Sequence, residues 1–76
     1  MHSKIREILT VSAGIKHAFQ DDEDVLETGA IDSMSAVRAI AALEEAFEVK
    51  IPAVEVTYEN FQSVNAIANY LKGLID

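Results

Sequence analysis

An all-α fold is predicted for this chain: a small bundle of four helices, the third of them short. Three observations predict it. Glycine and proline are scarce, three and one among 76 residues, while alanine and other strong helix formers are plentiful. Apolar residues recur at three- and four-residue steps in three separate stretches. A serine or aspartate stands at the head of each stretch (Ser3, Asp32, Ser63), where a side-chain oxygen can accept the backbone N–H groups that a helix start leaves unpaired.

The first helix is expected over residues 3–13, capped by Ser3, with Ile5, Ile8, Leu9 and Ser12 on one stripe and Arg6 and Glu7 facing water. Gly14 supplies its stop, and Ile15 returns to the core. Residues 15–32 read as a long connection, pinned by Val25, Leu26 and Ile31. The second helix is expected over 33–47, with Asp32 as its cap and Ser33 in its first turn. Met34, Val37, Ile40, Ala41 and Phe47 fall on one face, with Leu43 to one side of it. Glu48, the β-branched Val49 and Ile51, and Pro52 end it. Residues 53–60 suit a short, poorly periodic helix. Ser63 caps a last helix over 64–74, with Val64, Ile67, Ala68, Leu71 and Leu74 inward and Lys72 near its negative end. Tyr58, Phe61 and Tyr70 are expected in the core or at its rim.

One domain spanning 1–76 is expected, since a chain this short buries only about 60% of the surface its unfolded form exposes. The net charge of −7 argues against nucleic acid and against an anionic membrane surface, and favours partners with basic patches. No run approaches the length of a membrane span, and no signal peptide opens the chain, so a cytoplasmic monomer is expected. There is no cysteine, which excludes disulfides and thiolate chemistry from the chain's own side chains. A thiol used by this protein must be attached after translation.

The acidic run Asp21–Asp24 fails as a calcium loop. Counted from Asp22, the fifth and sixth positions are Leu26 and Glu27, where an oxygen ligand and a glycine are required. The run reads as a solvated loop, and no metal site is expected. The two histidines, His2 and His17, have no partner at metal-ligand spacing. Nothing supports a hydrolytic Ser33–His17 pair, so no catalytic residue and no enzyme are expected.

Ser33 has a different chemical use. A serine at a helix start is a good site for a phosphate ester, because the helix dipole and free N–H groups favour negative charge there. Asp-Ser alone is an ordinary helix start. Gly29-Ala30-Ile31-Asp32-Ser33-Met34, then Ala42-Leu43-Glu44-Glu45-Ala46-Phe47 and Ile51-Pro52 in register, are more specific. With Gly14-Ile15, they make almost the whole chain resemble an acyl carrier protein of the phosphopantetheine-binding carrier family. The resemblance implies an acyl-carrier-like bundle with 4′-phosphopantetheine on Ser33, added from coenzyme A by a phosphopantetheinyl transferase. The arm's thiol would hold an acyl or aminoacyl thioester, loaded by a ligase and consumed by a downstream acyltransferase or synthase in lipid or secondary-metabolite synthesis. Asp32, Met34, Val37, Glu44, Glu45 and Glu48 would form the recognition face. Met34 and Val37 equally suit a core, and the glutamates a solvated surface.

Ser35 and Arg38 stand where fatty-acid carriers often have acids. The Gly-Ala-Ile-Asp-Ser loop is one residue longer than in those carriers, and the stretch from Pro52 to Val64 is longer too. With Met after Ser, these spacings are similar to D-alanyl carrier proteins and other stand-alone carriers, whose aromatic-x-Thr-Pro-Asn-x-Ile is echoed by Phe61-Gln-Ser-Val-Asn-Ala-Ile. An aminoacyl carrier is therefore the alternative, and a helical interaction module without a prosthetic group is a second. The alanines at 36, 39, 41, 42 and 46 leave open whether the helices make room for a cargo or pack closely.

Overall fold

The structure is a computed structural model and describes residues 1–75. Four α-helices make up its regular structure, with one 3-10 turn, and no strand occurs among the described residues. The first helix, α1 (His2–Val11), opens earlier than Ser3 would place it. Met1 takes the cap position, and its carbonyl accepts the Ile5 N–H at 3.1 Å. A helix can start on a backbone carbonyl alone, and no side chain caps this one. Ile5, Ile8 and Leu9 are buried, as their spacing requires. Gly14 turns the chain at φ +82°, so that the Ile15 N–H reaches back to the Leu9 carbonyl and the Ile15 side chain enters the core.

Arg6 does not face open water as expected. Its guanidinium lies 4.6 Å from the centre of the Phe19 ring and donates to the Phe19 carbonyl and the Asp21 carboxylate. The long connection after α1 supplied these partners, and they are remote in sequence.

That connection is an ordered strap. Val25 and Ile31 are buried, Leu26 is half-buried, and Phe19 joins them. The Val25 N–H donates to the Gln62 carbonyl, and the Asn65 N–H donates to the Asp21 carbonyl. Much of the acidic run is engaged in local structure rather than merely solvated. Asp24 accepts the Leu26 and Glu27 N–H groups on one oxygen and the Tyr58 hydroxyl on the other.

The second helix, α2, spans Ser33–Phe47, the expected bounds. Of the apolar stripe read from the sequence, only Ile40 and Phe47 pack against the core, and the fully buried residues are others. Ser35, Ala39 and Leu43 are buried, with Leu43 at 0% exposure, while Met34, Val37 and Ala41 lie on the outside. Apolar residues stand on nearly every side of α2, so periodicity alone could not select the packed stripe. Packing selected the small Ser35 and Ala39, which allow close approach, around the large Leu43. Burial of a leucine contributes about 2–3 kcal/mol.

Glu48 ends α2 in the left-handed region at φ 54°. The single helix expected over 53–60 is two pieces: a 3-10 turn at Ala53–Glu55 and α3 at Tyr58–Phe61. Val56 leaves helical space between them, and the Thr57 hydroxyl accepts the Asn60 N–H to start α3 afresh. The last helix, α4 (Val64–Ile75), begins after Ser63, whose hydroxyl accepts the Ala66 N–H at 3.1 Å. α1 packs on both α2 and α4, and α3 packs on α4. Phe61 is buried 5.3 Å from the Tyr70 ring, which is half-buried, while Tyr58 is half-exposed at the rim.

Candidate functional site

The strap ends at an abrupt change of backbone. Gly29 takes φ +80°, Ile31 tucks into the core, and Asp32 is extended at φ −99°, ψ −175°. The helix then begins at once with Ser33. Ile31 is anchored from both ends, since its side chain is buried and its N–H donates to the Val25 carbonyl at 3.1 Å. The start of α2 is thus held against the core one residue before the cap.

Asp32 caps this start. Its carboxylate accepts the Ser35 N–H at 2.8 Å, and its carbonyl accepts the Ala36 N–H at 2.9 Å. The Ser35 backbone and side-chain bonds, with the nearby Arg38 charge, hold the Asp32 carboxyl below its ordinary 3.8. It is therefore ionised at neutral pH. Ser35, three residues on, supplies the N–H that the cap engages and is buried. That aspartate-to-serine spacing was readable in the sequence as a sign that Ser35 braces the site.

Ser33 sits between these two, and its side chain is exposed. Its hydroxyl makes no hydrogen bond among the described residues. Neither histidine bonds it: His17 Nδ1 lies 3.0 Å from the Ala18 carbonyl, and His2 lies beside Asn65. Such a hydroxyl can be esterified without displacing any contact. A phosphodiester there would meet the positive end of α2. The exposed, unengaged hydroxyl fits a long covalent arm leading away from the protein.

The other residues expected at the site fall into two sets. Met34 and Val37 are 68% and 66% exposed, and Glu45 and Glu48 are exposed beyond them on the same side. Glu44 is half-buried and turned elsewhere, its carboxylate accepting the Ile51 N–H at 2.8 Å across the end of the helix. Arg38 was missing from the expected face. It is exposed on the same stripe as Met34 and Val37, and bonds the Ser12 carbonyl and the Ser35 hydroxyl.

An all-helical bundle that sets a free hydroxyl on the exposed start of a helix has the form of a carrier, a protein that bears a group for others to act on. A family model described as "Phosphopantetheine attachment site" matches residues 3–71, and the chain belongs to that family. Its prosthetic group is covalent 4′-phosphopantetheine. The chain is 40% identical over 53 residues to a D-alanyl carrier protein of Streptococcus uberis, covering 70% of this chain and 67% of the relative. It is 35% identical over 69 residues to one of Lactococcus lactis subsp. cremoris, covering 90% and 87%. Among solved structures it is similar to a chain of the complex between an engineered Bradyrhizobium japonicum glycine:[carrier protein] ligase, a carrier protein from Agrobacterium tumefaciens and AMP. That match has a TM-score of 0.83 at 28% identity and covers 95% of this chain and 99% of the other.

Proposed function

We propose that this carrier bears its arm on Ser33 and presents an aminoacyl group to partner enzymes. The exposed, unpartnered Ser33 hydroxyl at the head of α2 is the observation that carries the reading. When bound, 4′-phosphopantetheine supplies a terminal thiol that holds a carboxylic group as a thioester. Ser33 provides the ester oxygen. Asp32 and Ser35 keep the helix start formed around it, and the exposed side of α2 offers a surface for docking.

The core supports a small, polar cargo. Beside α2 lies one apolar cavity, lined by residues including Leu26, Ala36, Ile40 and Leu43, of about 20 Å³. On that measure of space a water needs about 10–15 Å³, so the cavity holds about one water, and a fatty chain needs several times that. Among the alanines of α2, Ala39 is buried against the core, while Ala41 and Ala46 are exposed. A group that stays outside must be at ease in water, as an amino acid is. The relatives named for D-alanine, and the neighbour solved with a glycine ligase, point the same way.

The partners that follow are a phosphopantetheinyl transferase, an amino-acid ligase and an enzyme that takes the aminoacyl group onward. No catalytic role falls to the carrier in this reading, in keeping with its membership of a family that bears a prosthetic group for other enzymes. No helix among the described residues is long and apolar enough to cross a membrane.

The test is to offer the arm-bearing protein ATP and a panel of amino-acid and fatty-acid ligases, then measure hydroxylamine-labile label. Aminoacyl label on the wild type and none on Ser33→Ala is expected. Label from fatty acids alone would overturn the aminoacyl reading.

A further inference from the structure

The exposed stripe of α2 has a definite order of charge. Met34, Val37, Arg38, Ala41, Glu45 and Glu48 succeed one another at steps of one to four residues along one side, and all six are exposed. The part nearest Ser33 is apolar. Next comes Arg38, the one basic residue of α2. Glu45 and Glu48 close the stripe at the far end, while Glu44 is engaged with Ile51. The order away from Ser33 is apolar, positive, negative.

Arg38 is held in place. Its Nε donates to the Ser12 carbonyl at 3.3 Å, at the end of α1, and its Nη2 donates to the Ser35 hydroxyl at 3.4 Å. Among the described residues nothing accepts from Nη1. A guanidinium braced on one side with donors free on the other is prepared for a carboxylate from outside. It also repels any cation brought to the same spot. The chain as a whole, at −7, attracts basic surfaces from a distance. Arg38 reverses that preference locally, about one and a half turns of helix from Ser33.

We propose that Arg38 is a specificity-determining residue. The enzyme that loads this carrier meets α2 with an acidic side chain opposite Arg38, an apolar socket for Met34 and Val37, and basic side chains opposite Glu45 and Glu48. Enzymes whose docking face is basic throughout are excluded by like charge at Arg38. The inference rests on the reading of the protein as an aminoacyl carrier armed on Ser33, and it names what the loading partner must look like.

The experiment uses amino-acid:carrier ligases for glycine and for D-alanine as probes. The arm-bearing protein is offered to each, and the ligase that loads it fastest is retained. Its affinity is then measured by calorimetry for Ser33→Ala protein, which cannot take the arm, with Arg38 intact or changed. Arg38→Glu is expected to weaken binding and to lower kcat/KM about tenfold with kcat little changed, and added salt is expected to shrink the difference. Arg38→Lys keeps the charge while losing the guanidinium's bonding geometry, and is expected to retain most of the affinity. A bracing role alone would make Arg38→Lys as poor as Arg38→Glu. Replacing the ligase carboxylate that faces Arg38 by lysine is expected to restore binding of Arg38→Glu. Equal or tighter binding of Arg38→Glu would overturn the proposal while leaving the carrier reading intact. A protein shown by mass to bear the arm, yet loaded by no ligase of the panel, would overturn the aminoacyl reading and this inference with it.

Discussion

The Asp32 carboxylate receives the Ser35 N–H at 2.8 Å, and between these two residues stands Ser33 with its hydroxyl free. The bond closes the first turn of α2 without involving the residue that the turn presents. A helix start stabilised by its neighbours can lose nothing of its own when Ser33 is modified. Ser33→Ala should therefore melt close to the wild type while abolishing attachment of the arm.

The Asp32 cap carries a pH signature. Its carboxyl is held below 3.8 in the folded protein, first by the Ser35 bonds and then by Arg38. A depressed carboxyl contributes stability that is present above its unfolded value and fades as the pH falls through the lower folded one. Asp32→Ala is expected to lower the melting temperature at neutral pH, and the deficit is expected to shrink as the pH drops below about 3.8. Asp32→Asn, which can still accept the Ser35 N–H, should lose less. Thermal melts of the three proteins from pH 7 to pH 2.5 check this. A deficit for Asp32→Ala that does not change with pH would contradict it.

The two faces of α2 should respond oppositely to truncation. Leu43 is fully buried, so Leu43→Ala is expected to cost about 2–5 kcal/mol in urea unfolding. Val37 is 66% exposed, so Val37→Ala should stay within about 0.5 kcal/mol. A large loss for Val37→Ala would mean that it packs inside.

This contrast marks where the sequence was legible and where it was not. The ends of α2 were readable because Asp32 and Pro52 act through local backbone chemistry. Ser63 was readable as a cap for the same reason. The packed face of α2 was not, because Met34, Val37 and Ala41 are as apolar by type as Ala39, and only tertiary packing ranks them. Arg6 was misplaced because Phe19 and Asp21, which engage it, are distant in sequence. The break at Val56 and Thr57 was hidden in a stretch with no strong period. The place of Ser33 at the start of α2 was readable from Asp32 before it, whereas Arg38 is given its direction by Ser12, which precedes the strap.

At the other end of the bundle, the Tyr70 hydroxyl donates to the Glu55 carboxylate. Burial first, then this bond and the Glu55 charge, push Tyr70 up from 10.0 to about 12. A raised value means stability that is whole below pH 10 and is lost as the pH rises through 12. Glu55→Gln removes the carboxylate charge, so the tyrosine absorbance titration near 295 nm should begin at lower pH in this variant. An unchanged titration would show that Glu55 does not act on Tyr70.

The most direct measurement is the intact mass of the protein after incubation with coenzyme A, magnesium and a broad-specificity phosphopantetheinyl transferase, followed by peptide mapping. One added arm is expected, located on Ser33, and none on Ser33→Ala. An arm mapped to another residue, or a folded protein left unmodified by a transferase active on a control carrier, would contradict it.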